Sequence, residues 1–110
     1  MDLIREFSAG EPIEAGAVAS VSLSGGRELV MVDEIRCDAV GFALRRVVLR
    51  NLIVFEGRDP VRAEFSGLRW AEGFELLIEV ERTGLGPGSF RGGIYGRRYR
   101  PRHRDTEDAG

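Results

Sequence analysis

Residues 72 to 97 read Glu72-Gly-Phe-Glu75-Leu-Leu-Ile-Glu-Val80-Glu-Arg-Thr-Gly-Leu85-Gly-Pro-Gly-Ser-Phe90-Arg-Gly-Gly-Ile-Tyr95-Gly-Arg97. Leu76, Ile78 and Val80 alternate with Glu75, Leu77, Glu79 and Glu81. This is the period of two that marks a half-buried strand. Phe90, Gly92, Ile94 and Gly96 alternate with Arg91, Gly93, Tyr95 and Arg97 in the same way. Between them, Thr83-Gly84-Leu85-Gly86-Pro87-Gly88 breaks the strand with glycine and proline. The stretch is therefore expected to be an antiparallel hairpin. Val80 would face Phe90 and Glu79 would face Arg91, or a two-residue shift would pair Glu81 with Arg91 and Glu75 with Arg97. Gly92, Gly93 and Gly96 have no side chain, so another backbone or a large neighbour is expected close to them.

The same pattern extends outward. Ala17, Ala19, Val21 and Leu23 alternate with Val18, Ser20 and Ser22, and Gly16 marks a bend. Ser24-Gly25-Gly26-Arg27 is a turn signal, and Glu28 to Asp38 reads as the partner strand. Leu29 to Val32 are apolar on both faces, which places that end of the strand centrally or beneath a loop. Arg45 to Phe55 is long enough for a helix, but its five β-branched or aromatic residues favour strand, with Arg50-Asn51 able to split it in two. Val61, Ala63 and Phe65 form a short edge strand, and Ser66 to Gly73 reads as a loop holding Trp70. No helix of ordinary length is evident. Turn signals every 8–12 residues or so point to an all-β, antiparallel β-sandwich of six to eight strands. The expected organisation is an N-terminal arm (1–12), the sandwich (13–97), and an arginine-rich, then acidic tail (98–110).

Composition narrows the function. The 110 residues suit one domain with one core. All 16 basic residues are arginine, and the net charge is −2. Genomic base composition accounts for a lysine-free chain. So does use of arginine at interfaces, where its planar fork binds carboxylates bidentately. Cys37 is the one cysteine, so no intrachain disulfide forms, and a small buried hydrophobe is its expected role. No signal peptide is visible, and no run approaches the roughly 18 apolar residues of a membrane span. An intracellular or intracellularly assembled protein is expected.

Enzymatic readings find little support. The single histidine, His103, lies in the tail, where nothing in the sequence would hold it rigidly. Asp33 and Glu34 are the nearest approach to a hard-cation site, without loop spacing to support one. Gly84 to Gly88 lacks the lysine and helix of a phosphate loop. No cofactor or metal is expected. Trp70, with Arg69 and Glu72, is the alternative site: a platform for a sugar or base, against the reading of Trp70 as core or cap. The segment Arg97, Arg98, Tyr99, Arg100, Arg102 and Arg104 is the densest charge signal. It reads as a solvated terminus, as a docking arm for an acidic surface, or, less favoured, as a nucleic-acid contact. Leu3, Ile4 and Phe7 either line one face of a helical turn or are the apolar residues with which an N-terminal arm would dock on a neighbour.

Ala17 to Leu23, followed by Gly25-Gly-Arg-Glu-Leu-Val30, resembles the opening strands of small viral and phage jelly-roll structural proteins. Leu76-Leu-Ile-Glu-Val-Glu-Arg-Thr-Gly84, followed by Phe90-Arg-Gly-Gly-Ile-Tyr-Gly96, resembles their closing strand pair. The likeness covers residues 13 to 97 and is one of β-sandwich style. It implies a non-enzymatic capsid, decoration or spike-base component that assembles with copies of itself and other structural proteins in a virion. Without it, the expected location is the cytoplasm, and the alternative function is a carbohydrate-binding module using Trp70.

Overall fold

The computed structural model describes residues 1–99. Eight strands run in the order β1 (Asp2–Ser8), β2 (Val18–Ser24), β3 (Val30–Cys37), β4 (Phe42–Leu49), β5 (Leu52–Asp59), β6 (Arg62–Trp70), β7 (Glu75–Arg82) and β8 (Arg91–Arg98). They form two four-stranded sheets, β1-β8-β3-β6 and β2-β7-β4-β5, with every pairing antiparallel. The all-β antiparallel sandwich expected from the alternation is present.

The expected hairpin is not. β7 and β8 lie in different sheets. Val80 faces Ala19 and Leu44, and Gly92 faces Phe7 and Cys37. β2 and β3, expected to pair, are separated in the same way. Alternation says which face of a strand is buried, and both sheets of a sandwich present an inner face. It cannot say which sheet a strand joins. Connection length does not decide it alone: two residues join β4 to β5 and two join β5 to β6, yet of these only β4 and β5 share a sheet. Sheets stack about 10 Å apart, and an eight-residue connector such as residues 83–90 spans that gap easily. Among the described residues, β4 and β5 are the only consecutive strands that share a sheet. Their connection is the two-residue turn Arg50-Asn51, with φ of 53° and 67°. Positive φ at both positions matches the twist of the flanking strands, so the split at Arg50-Asn51 is correctly placed.

The inner faces meet in one core. Val32, Ile35, Leu44, Val47, Leu76, Ile78, Val80 and Ile94 are fully buried. Phe90 packs on Phe7 and Phe42, at centroid distances of 5.7 and 5.4 Å. Leu29 to Val32, apolar on both faces, leads into β3, an inner strand between β8 and β6. Cys37 is half-buried rather than fully inside. Its Sγ donates to the Ala39 carbonyl at 3.6 Å, and burial raises its pKa.

Two domain boundaries change. The N-terminal arm is a strand: β1 pairs with β8 along its length, and Phe7 is a core residue, not a docking residue. Arg98 belongs to β8, and the Tyr99 amide donates to the Leu29 carbonyl at 2.9 Å, so the sandwich continues past residue 97. Residues 100–110, including Arg100, Arg102, His103 and Arg104, lie outside the described residues.

At the end of the sandwich where β7 leaves for β8, one guanidinium holds two loops. Arg82 donates to the carbonyls of Gly86 (3.0 Å), Leu85 (3.3 Å), Gly41 (3.1 Å) and Val40 (3.3 Å), with its plane 4.8 Å from the Phe42 ring centroid. A Cβ on Gly88 would come within 2.5 Å of that guanidinium. Part of the Gly-rich composition of this loop thus makes room for Arg82. Ile13 and Gly88 exchange backbone hydrogen bonds of 2.8 and 3.0 Å, fastening the β1–β2 connection to the same point.

Candidate assembly surface

The outer faces of both sheets are laced with arginine–carboxylate pairs. On β3 and β6, Arg36 bonds Glu34 at 2.7 Å and Arg62 bonds Glu64 at 2.9 Å, while Arg36 stacks on Tyr95 at 4.0 Å. On the other sheet, Glu81 takes Arg45 and Arg58, both at 3.0 Å, and Arg46 bonds Glu56 at 2.9 Å and lies 3.9 Å from Glu79. Charge pairing on the outer faces was expected, but the partners differ because the strands do. Glu79 and Glu81 face β4 and β5 rather than Arg91. Exposed pairs contribute little stability individually. They do occupy the guanidiniums that would otherwise be available to bind phosphate.

Asp33 and Glu34 are each engaged by an arginine. Asp33 accepts two bonds of 3.0 Å from Arg97, and Glu34 is committed to Arg36. Arg97 therefore belongs to β8 and not to a projecting tail. Arg98 lies 3.3 Å from Glu28. Among the described residues no group of three His, Cys, Asp or Glu comes together to hold a metal.

Two carboxylates ionise below their ordinary range. Asp59 does so because the Arg62 and Val61 amides donate to its Oδ1, at 3.0 and 2.8 Å. Glu81 does so because Arg58, and then Arg45, donate to it. A carboxylate with a lowered folded-state pKa stabilises the fold above its unfolded pKa and loses that contribution as pH falls through the folded value. The urea midpoint should therefore decline on acidification below about pH 4. Glu81→Gln should flatten part of that decline. A midpoint independent of pH between neutral and strongly acid solution would contradict these assignments.

The alternative ligand site does not form. Trp70 is the last residue of β6, not a loop residue, and only 1% of it is exposed. Its indole Nε1 donates to the Phe74 carbonyl at 2.9 Å, and Arg5 lies 4.7 Å over the ring. Both the ring face and its polar handle are used inside the protein, so it offers no platform for a sugar or base. Arg69 is exposed beside it on β6, and Glu72 is exposed in the β6–β7 connection. The other sequence-derived residues scatter. Leu3 is 43% exposed on the outside of β1, Ile4 packs against the core, and Tyr99 is 53% exposed.

Two surface features were missed from sequence. The first is an apolar end. Val40 and Leu85 are each 97% exposed, on the two loops that Arg82 ties together. Val18 and Val61 are exposed at the same end. The loops here, residues 9–17, 38–41, 60–61 and 83–90, carry Glu11, Glu14 and Asp38 and no arginine. The second is the edge of β2. Its seven pairs with β7, Val18↔Glu81 to Ser24↔Glu75, run without a shift, and it contains no charge. The charge-free run was visible in sequence, but its edge position was not. The concavities are open. One of ≈ 490 Å³ lies over Ser22, Val48, Arg50, Asn51, Gly73, Glu75 and Leu77. Another of ≈ 620 Å³ runs between residues 9–14 and the start of β2. Comparison of the chain with protein-family models, with curated proteins and with solved structures gave no match.

Proposed function

We propose that this chain is a non-enzymatic structural protein, a jelly roll that assembles through protein–protein contacts as a capsid, decoration or spike-base component of a virion. The observation that carries the reading is the strand order. β1 pairs with β8, β2 with β7, β3 with β6 and β4 with β5. The chain runs as one long antiparallel ribbon, closed by the Arg50-Asn51 turn and wrapped so that its pairs alternate between sheets. Eight strands in two such sheets support the jelly-roll reading, a pattern that viral capsid domains share with lectins and cupins. A fold of this kind does not fix function. The burial of Trp70 removes the platform of the carbohydrate-binding alternative. The salt-bridged outer faces and the rigidly held apolar end favour a brick that meets other proteins. In this reading the arginines of residues 100–104 pair with an acidic partner surface.

The native mass of the purified protein tests it. Multi-angle light scattering should give an oligomer or larger particle at low salt, and contacts made by arginine should weaken as salt screens them. Removing residues 100–110 should reduce assembly without changing the unfolding midpoint. A monomer at every concentration and salt would overturn the proposal.

A further inference from the structure

Among the described residues the two sheets have four edge strands, and three carry features that oppose pairing with another strand. β1 holds Asp2, Arg5 and Glu6 and a register shift between Leu3 and Arg5. Self-pairing about its midpoint would set Arg5 against Arg5. β5 holds Glu56, Arg58 and Asp59 and has two register shifts against β4. β6 holds Arg62, Glu64 and Arg69, and Gly67 at φ +78° bends it at a register shift. β2, Val-Ala-Ser-Val-Ser-Leu-Ser, has no charge, proline, glycine or shift.

We propose that β2 pairs antiparallel with β2 of a second copy, joining two four-stranded sheets into one of eight. This deepens the assembly reading and rests on it. Backbone geometry supports the pairing. The Arg82 backbone amide donates to the Ala17 carbonyl and the Gly25 amide donates to the Phe74 carbonyl. By the alternation of an antiparallel ladder, the odd-numbered residues of β2 bond to β7. The amides and carbonyls of Val18, Ser20, Ser22 and Ser24 therefore point to the open edge. Of these, the Ser24 carbonyl accepts from Arg5 at 2.8 Å.

The strand is also complementary to itself. With Val21 facing Val21 of the second copy, Ser20 faces Ser22, Ala19 faces Leu23 and Val18 faces Ser24. Every core-facing residue stays on the core face, and the serines form a continuous outer row, where hydroxyls across an antiparallel pair can hydrogen-bond. No like charges oppose one another within the pair. The second copy's Gly25-Gly26 turn then runs beside Ala17 and Gly16, next to the concavity between the β1–β2 connection and β2.

The test uses the full chain and a Ser20→Lys, Ser22→Lys double variant, with Ser66→Lys on the β6 edge as control. The wild type and the control should give twice the 12.2 kDa monomer mass or a multiple of it. The double variant should dimerise about tenfold more weakly or worse, because like charges now face each other. Amide hydrogen exchange at Ser20 and Ser22 of the wild type should slow as concentration rises, a readout that does not depend on how the variant folds. Assembly unchanged in the double variant, with exchange at those amides independent of concentration, would overturn the β2 contact and leave the assembly reading standing on another surface. A wild type monomeric at all concentrations would overturn both.

Discussion

Replacing Gly96 with alanine should lower stability by about 3 kcal/mol, at the upper end of what overpacking costs. Gly96 lies on β8 opposite Val32 of β3, and a Cβ there would sit 2.1 Å from the Met31 carbonyl oxygen and 3.0 Å from the Val32 Cα. Those are backbone atoms of a central strand, so no rotamer change relieves the overlap. Part of the sheet must move. The opposing effect is smaller: replacing glycine restricts the unfolded chain and returns about 0.4–1 kcal/mol. Gly26→Ala is the internal control, since a Cβ there meets nothing within 4 Å. Urea unfolding should show a much lower midpoint for Gly96→Ala and little change for Gly26→Ala. Equal midpoints would mean that β3 and β8 do not approach as closely as described.

Trp70→Ala should cost about 3–5 kcal/mol, the range for emptying a large aromatic site in a core. The residue is buried between the sheets at the end opposite Arg82, and losing it also removes one of the two hydrogen bonds that the Phe74 carbonyl accepts, the other coming from the Gly25 amide. Trp70→Phe keeps most of the packing and gives up the hydrogen bond, so its cost should be nearer 1 kcal/mol. Fluorescence of the single tryptophan, blue-shifted in the folded protein and red-shifted on unfolding, follows the wild-type transition directly. A Trp70→Ala protein with an unchanged urea midpoint would show that Trp70 is a surface residue and would reopen the sugar-binding reading.

These two residues show how sequence and tertiary structure divide the information. The glycines of β8 stood out in the sequence as places of close approach. Phe7 and the Arg36 carbonyl near Gly92, Leu3 and Tyr95 near Gly93, and the Met31 carbonyl near Gly96 are those neighbours. Trp70 was ambiguous, because a loop tryptophan and the last residue of a strand look alike when Gly67 interrupts the alternation. The bend at Gly67 made residues 66–73 read as a loop, although β6 continues through it to Trp70. The N-terminal residues were harder still. A short edge strand such as β1 shows little alternation of its own, and its pairing with β8 is a contact across almost the whole chain.

By itself the sequence determined that the protein is all-β, which side of most strands faces the core, and where the chain turns. These are local properties, set by the period-two alternation of side chains and by the backbone freedom of glycine, proline and asparagine. Only the tertiary structure decided which strands are neighbours. Both inner faces of a sandwich want the same residues, and the connectors are long enough to reach either sheet. It also decided which residues share a surface. Val40 and Leu85 are brought to one end by carbonyls that bond a single arginine, and β2 is left at an edge because β7 pairs with β4 on its other side.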